Sequence, residues 1–554
     1  MLETFDYIIV GAGSAGCVLA DRLSADGSAS VLVLEAGVRD SNPWIHVPIG
    51  YAKTLFDKRV NWCFEMEPSP ELRQRRLYMP SGRVLGGSSS INGLLYVRGQ
   101  QQDYDHWEQL GNRGWGWDDV LPYYRLSEDQ ERGGDNFHGS GGPLAVSNQV
   151  ERHELCDAFV ASGLAAGYRA TNDFNRGDQE GLGYYQVTAR DGRRISAAVA
   201  FLRRAERRAN VSVLTEVVVE TIDTNGRCAT GVTYRSSGLQ RKAVARRCVV
   251  LAAGAINTPA ILQRSGIGNP DWLKEAGIEV THALPGVGAN LQDHLQAKLV
   301  YRCVRPVTLN DQAKHLMGKI SMGAAYLLHR RGSLTTAAGQ AGGFVRTTLS
   351  TNRPDVQFHV MTFSSADLRK GLDEFSGMTI SACQLRPESR GTVRVTSVAA
   401  DAAPIISPQF LSTDTDRRTL VEGLRIGRSI AAVKPLSAEL EREERPGVAV
   451  ASDDDLLAYV RETAGSVFHP VGTCKMGQDA LAVVDERLRV RGIGNLMVAD
   501  ASVMPVIVSG NTNAASIMIG ERASQFLMEA ASAYEGRGIQ KCHPNLNGVS
   551  SALV

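Results

Sequence analysis

The first thirty-five residues restrict the fold more than any other stretch. Phe5 to Val10 (FDYIIV) is a run of aromatic and β-branched residues, the pattern of a strand buried on both faces. Gly11-Ala-Gly-Ser-Ala-Gly16 follows directly. From Cys17 to Ser24, Val18, Leu19 and Leu23 recur at helical spacing, and Ser30 to Leu34 is a second apolar strand ending at Glu35. This order predicts a parallel β-turn-α-β unit of the dinucleotide-binding type.

The spacing Gly11, Gly13, Gly16 has a physical reason at each position. The first glycine permits the turn, the second lets backbone approach a pyrophosphate, and the third lets helix and strand pack closely. Glu35 at the end of the second strand can accept from both ribose hydroxyls and disfavours a 2′-phosphate. The fingerprint alone leaves FAD and NAD open.

At 554 residues the chain exceeds the roughly 250–300 residues a single core supports, so at least two domains are expected. Sixty Lys and Arg balance fifty-nine Asp and Glu, for a formal net charge of +1, which leaves no basic excess for a nucleic acid partner. The nine cysteines are scattered without CxxC or zinc-ligand spacing, so no metal site is expected, and reduced thiols point to a cytoplasmic address. The chain runs straight from Met1 into a strand, so no signal peptide is expected. No apolar stretch reaches the roughly 18 residues of a membrane span. Peripheral membrane contact stays open, although no strongly basic amphipathic helix stands out.

Downstream, Val211 to Ile222 and Arg227 to Arg235 alternate like antiparallel strands, and Cys248 to Ala253 is a buried strand. Residues 107–150 look loop-like despite Trp107, Trp115, Trp117, Tyr123 and Tyr124. Helices are expected at Leu316–Arg330 and about Ala514–Ala531.

Gly82-Arg-Val-Leu-Gly-Gly-Ser-Ser-Ser-Ile-Asn-Gly-Leu-Leu-Tyr-Val-Arg-Gly99 is more specific. Its glycines let backbone lie flat against a planar ring, and Ser88 to Ser90 add donors without bulk. This run closely resembles the first signature of the glucose–methanol–choline (GMC) oxidoreductases. Gly254 to Gly268 resembles the second, and Pro285 to His294 and His469 to Gly520 also resemble this family. The resemblance spans Phe5 to about Phe526.

It implies an α/β (α+β overall) GMC fold: a Rossmann-like FAD-binding domain interleaved with an antiparallel-sheet-plus-helices substrate domain. The expected boundaries are 1–160, 195–305 and 460–530 for the FAD domain and 161–194 and 306–459 for the substrate domain, with 531–554 a C-terminal tail. Carried over by position, it implies cofactor contacts from Gly11, Gly13, Ser14, Ala15, Gly16, Glu35, Ala36 and Trp62. Val84, Gly86, Gly87, Ser88, Asn92, Gly93, Leu94 and Leu95 follow in the first signature, then Val218, Ala253 and Gly254. Asp500, Ala501, Thr512 and Asn513 complete the set. Some members tether FAD through a His in the 82–99 loop; the corresponding Ile91 implies non-covalent FAD.

The same resemblance implies that His469 accepts the hydroxyl proton of an alcohol while hydride leaves to the flavin. Asn513 is expected to face the same substrate oxygen, or alternatively to cap the following helix. Phe468 and Gln340 are candidate substrate contacts, and a neutral amide at 340 argues for a neutral primary alcohol over choline. The branch resembled is that of the bacterial dehydrogenases, which implies a quinone or dye acceptor. An oxidase using O2, a choline or sugar/polyol dehydrogenase and a non-redox hydroxynitrile lyase are the alternatives on this fold. An NAD dehydrogenase and a non-catalytic binding protein are the wider rivals. Oligomeric state is not indicated.

Overall fold

The computed structural model describes residues 3–350 and 352–536. The N-terminal unit forms as the sequence predicts, with strand Glu3–Val10, helix Ser14–Leu23 and strand Val31–Leu34. Both strands are buried along most of their length, and they lie parallel at the centre of a seven-stranded sheet. Across the sheet the order is Val211–Leu214, Val31–Leu34, Glu3–Val10, Leu239–Leu251, Cys228–Ser236, Val217–Asn225, with Leu496–Val498 also pairing with Leu239–Leu251. The stretch 211–222 is therefore not one antiparallel strand. Its first part runs parallel to Val31–Leu34, the chain breaks at Glu216 (φ 59°), and the second part joins an antiparallel hairpin. Helix Asn513–Gly536 packs along helix Ser14–Leu23 at Gly520, where a Cβ would lie 2.9 Å from the carbonyl oxygen of Ala15.

The second sheet is antiparallel and also seven-stranded. Its order is Leu440–Arg445, Leu295–Cys303, Gly377–Gln384, Val356–Met361, Ala341–Val345, Gly181–Tyr184, with Gly465–Ser466 pairing with Leu295–Cys303. Alternation gives each face one job. Leu299, Phe358 and Ile380 pack under helix Asp414–Ala431, while Lys298, Ser381 and His359 align across the opposite face. Two boundaries move accordingly. Leu295–Cys303 and Gly465–Ser466 belong to this antiparallel sheet, so the divisions expected at 305 and 460 fall late and early of its strands respectively. The last helix runs through 531 to Gly536, and the remainder of the expected tail lies outside the described residues.

Residues 107–150 are not loop. Helices Gln101–Gln109 and Trp117–Ser127 and two short strands occupy them or overlap them, and Trp107 and Trp115 are fully buried. Their indole N–H groups donate to the carbonyls of Val506 at 2.9 Å and Glu486 at 2.8 Å, tying this segment to the C-terminal part of the same domain.

A buried charge cluster anchors the end of the 82–99 loop. Arg98 and Glu128 both have fully buried side chains and pair at 2.7 Å. His138 bridges Glu128 at 3.1 Å and Asp173 at 2.9 Å. Burial works to lower the His138 pKa, but hydrogen bonds to Asp173 and Glu128 outweigh it and raise the pKa to about 9. Two cations thus face two carboxylates in the interior. Removing one partner strands a buried charge, so Arg98→Met is expected to lower unfolding free energy by about 3–5 kcal/mol. Urea titration of the purified protein checks this, and an unshifted midpoint would contradict it.

Candidate active site

A cleft of about 590 Å³ lies between the two sheets, with Glu35 and His469 both on its wall. At the Glu35 side the glycine turn builds the wall. Gly11 has φ 100°, and a Cβ there would lie 2.6 Å from the Ala252 carbonyl oxygen; a Cβ on Gly16 would lie 2.0 Å from the Gly11 oxygen. A Cβ on Gly13 meets nothing nearer than 3.7 Å, so its bare backbone leaves room on the cleft side. Each Glu35 oxygen accepts one backbone N–H, from Ala12 and from Gly37, both at 2.8 Å. Burial raises its pKa to about 7 against those hydrogen bonds. Each oxygen keeps a further lone pair for a donor in the cleft.

The 82–99 loop presses against this turn: a Cβ on Gly87 would lie 2.7 Å from the Gly13 Cα. The Gly86 N–H donates to the Ala12 carbonyl at 2.8 Å. A residue that composition did not mark holds the loop in place. Arg194, buried and without a carboxylate partner among the described residues, donates to the carbonyls of Ile45, Ser89 and Asn92 and to the Asn92 side chain. The helices beginning at Ser14 and Asn513 both start on the cleft wall, so two N-terminal ends face it. A bare glycine backbone, a carboxylate with free lone pairs and converging helix N-termini fit a dinucleotide with a ribose and a diphosphate.

Most nominated cofactor residues line the cleft: Gly11, Gly13, Ser14, Ala15, Glu35, Ala36, Trp62, Gly87, Ser88, Asn92, Gly93, Leu94, Leu95, Val218, Ala253, Gly254, Asp500, Ala501, Thr512 and Asn513. Gly16, Val84 and Gly86 do not. Gly16 packs on Gly11, Val84 sits in a small core with Ile45 and Ile91, and Gly86 forms the turn at φ 88°. Ser89 and Ser90 are not free donors either, because their hydroxyls donate to the carbonyls of Gly86 and Leu85. Asp500 accepts from the Gly254 N–H and the Thr258 hydroxyl, fixing the start of helix Gly254–Arg264.

At the other side, His469 sits where Gly465–Ser466 leaves the second sheet. Asp293 holds it: one oxygen accepts the His469 N–H at 2.8 Å and the other accepts the Ser466 hydroxyl at 2.5 Å. Phe468 between them has φ 68°, a left-handed conformation that a non-glycine residue adopts at a cost of about 1–2 kcal/mol. Its N–H donates to Ser466 Oγ at 2.7 Å, which pins that geometry, and the residue lines the cleft.

The imidazoles form a directed chain. His294 Nε2 lies 2.9 Å from the Leu385 carbonyl, which can only accept, so Nε2 carries the proton. Burial lowers the His294 pKa to about 4, so the ring is neutral and its Nδ1 has a lone pair. His469 Nδ1 lies 3.0 Å away and therefore donates to it. That leaves the lone pair of His469 on Nε2. Burial first, then the neighbouring His294 and His359 rings, holds the His469 pKa well below its ordinary value. The network assigns this tautomer: a neutral imidazole with its acceptor atom at Nε2.

The group meeting that atom is not the expected one. Asn511 Nδ2 lies 3.2 Å from His469 Nε2, and Gln357 fixes the amide by donating to its Oδ1 at 3.3 Å. The Asn513 side chain instead accepts from Ser14 Oγ at 2.7 Å. Asn513 is also not the cap: it is the first helical residue, and the Thr512 carbonyl accepts the Ser516 N–H. The sequence expectation placed the amide two residues late. Gln340 is likewise displaced. It is buried beside the sheet, accepting from Thr362 and donating to the Glu151 carbonyl, away from the cleft wall. The side chains that do reach the wall from the second sheet include Gln296, Lys298 and His359.

Comparison with known proteins gives the family. The family profiles described as GMC oxidoreductase match residues 5–296 and 387–520. An alcohol dehydrogenase (acceptor) of Pseudomonas putida is 42% identical over 531 residues, covering 95% of this chain and 96% of its own. Human mitochondrial choline dehydrogenase is 41% identical over 534 residues, covering 95% and 90%. Among solved structures, pyridoxine 4-oxidase from Mesorbium loti superposes with TM-score 0.85 at 30% identity over 94% of this chain and 98% of its own. An Aspergillus oryzae formate oxidase studied for FAD modification gives TM-score 0.89 at 25% identity over 96% and 99%. The chain belongs to the GMC oxidoreductase family, and its glycine-turn domain is that family's FAD-binding domain.

Proposed function

We propose that this enzyme oxidises a neutral primary alcohol to the aldehyde and passes the electrons to a quinone-type or dye acceptor. The observation that carries the reading is the acceptor Nε2 of a neutral, buried His469 at the cleft wall, met there by the Asn511 amide. Bound FAD supplies the acceptor for the carbinol hydride. His469 Nε2 takes the hydroxyl proton, and its Nδ1–H stays on His294, so the ring keeps its orientation through the transfer. Asn511 Nδ2 donates to the substrate oxygen as Nε2 becomes occupied. Ile91 lines the cleft, and its aliphatic side chain forms no bond to a flavin, which supports dissociable FAD.

The relatives divide between alcohol and choline dehydrogenases. The cleft favours the first. A quaternary ammonium needs a carboxylate or an aromatic cage without a competing cation. Each carboxylate on this wall is engaged: Glu35 by backbone N–H groups, Asp500 by Gly254 and Thr258, and Asp367 by Arg369. Lys298 instead points into the cleft, and among the described residues its amine forms no ion pair. Burial and then Arg445 lower its pKa, but charged or neutral it offers no negative charge. The Phe363 and Phe468 rings on the same wall suit an apolar chain. The acceptor-linked reading is supported by the name of the Pseudomonas putida relative.

His469→Ala is expected to cut kcat by about 10²–10⁴-fold while the protein stays yellow, with Asn511→Ala losing less. Stopped-flow and steady-state assays with an artificial acceptor decide it, and full turnover without the imidazole would remove the base. The base works only when neutral and its pKa is depressed, so activity is lost only as pH falls well below the ordinary histidine range. The acid limb of kcat/KM should centre below 6.5, and a limb centred above that places the proton elsewhere. Choline should show kcat/KM about a hundredfold or more below that of a neutral primary alcohol, the size of a partly screened like-charge contact. Lys298→Glu should narrow that gap. Equal use of both substrates by the unaltered enzyme would return the assignment to the choline branch.

A further inference from the structure

Helix Leu316–His329 is amphipathic in reverse. Leu316, Met317, Ile320, Leu327 and Leu328 are between 53% and 74% exposed, while Tyr326 is buried. At about 100° per residue those five, with Ala324, form one outward stripe about 120° wide. Large apolar side chains scattered singly on a surface need no explanation, but a contiguous stripe of this kind does.

The helix's own segment carries charge of one sign, with Asp311 just ahead of it and Glu151 accepting the Gly332 N–H behind it. Residues 312–332 contain no Asp or Glu and carry Lys314, Lys319, Arg330 and Arg331. Among the described residues none of these four forms an ion pair with a carboxylate. The short helix Leu309–Lys314 just before it is pinned to the rim of the cleft. Asn310 donates to the carbonyls of Ser364 and Asp373 and accepts the Ser364 N–H at 3.0 Å, and residues 365–369 of that loop line the cleft.

We propose that this stripe is a membrane-docking surface, with its apolar side chains seated at the headgroup–acyl boundary of an anionic bilayer and its basic residues on the headgroups. Apolar side chains flanked by unpaired cations are the combination that such a boundary rewards. A second copy fits less well. A twofold contact sets the same patch against itself, and here that brings four cations onto four cations. The surface stands on its own observation and holds whichever alcohol or acceptor the cleft uses. Docking there sets the cleft rim beside the bilayer, within reach of an apolar alcohol or acceptor dissolved in it.

The test is sedimentation of the full-length holoenzyme with vesicles of mixed phosphatidylglycerol and phosphatidylcholine, beside vesicles of phosphatidylcholine alone. The wild type should pellet with the anionic vesicles and far less with the neutral ones. Ile320→Ser, Leu327→Ser and Leu328→Ser together should lower the bound-to-free ratio at least about tenfold. Lys319→Glu with Arg331→Glu should lower it too. All these positions are exposed, so turnover of a water-soluble alcohol with a soluble dye should be unchanged, which separates lost docking from lost folding. Wild type left in the supernatant overturns the proposal, whether a second copy or residues 537–554 cover the stripe. So does a triple variant that pellets like wild type. A dimer that the triple variant converts to monomer, read by size exclusion, gives the stripe to a second copy and also overturns it.

Discussion

The Leu385 carbonyl sets the direction of the proton chain that ends at His469. Because that oxygen can only accept, His294 must donate from Nε2, and a buried neutral His294 must then accept at Nδ1. The imidazole at 469 inherits its tautomer from this sequence of constraints. Burial is what makes the sequence obligatory. In water either ring could protonate or turn, but in the interior an added charge is penalised and an unpaired nitrogen is costly. The strain at Phe468 belongs to the same arrangement, since Asp293 and Ser466 hold the backbone that aims the ring.

Two domains are needed for this because each supplies what the other lacks. The parallel sheet ends in a glycine turn and a carboxylate, and it presents helix N-termini to the cleft. The antiparallel sheet supplies side chains at two-residue intervals, one face for its core and one for the cleft. His469 and Asp293 lie at the seam, where Gly465–Ser466 pairs with the start of Leu295–Cys303. The imidazole is therefore positioned by the antiparallel sheet but looks out beside residues of the first domain, Asn511 among them.

Local features were legible in the sequence wherever a backbone requirement selects a residue type. Gly11, Gly13 and Glu35 announce themselves because a turn, a close approach and a strand-end carboxylate admit few substitutes. The strands at 5–10 and 30–34 and the helix at 316–330 followed from periodicity. The failures share a different cause. Asn511 and Asn513 are the same residue type two positions apart, and only the point where the helix begins decides which amide faces the imidazole. Lys298 lies on one strand of the sheet and Gln340 just ahead of another, and no spacing in the chain says which of these side chains reaches the cleft. The tryptophans near 107–117 read as loop because their helices are short and polar on one side, although their indoles bury against Val506 and Glu486 far along the chain. Long-range pairing, which one-dimensional patterning does not encode, accounts for each.

The helix at 316–329 shows the same limit from another side. Its periodicity was visible, but periodicity fixes only that one face is apolar, not which way that face turns. The usual inference points an apolar stripe inward. Here the inward side is satisfied by Tyr326 and the close connection to Ser333–Thr335, and the larger apolar side chains are left outside. Five such side chains left in water contribute nothing to folding, and an environment less polar than water on that side would gain from burying them. The missing acidic residues between 312 and 332 narrow that environment to one bearing negative charge. Apolar depth and anionic surface coincide at the face of a lipid bilayer, and the Asn310 pin to the cleft-lining loop makes that face the one beside the entrance to the chemistry.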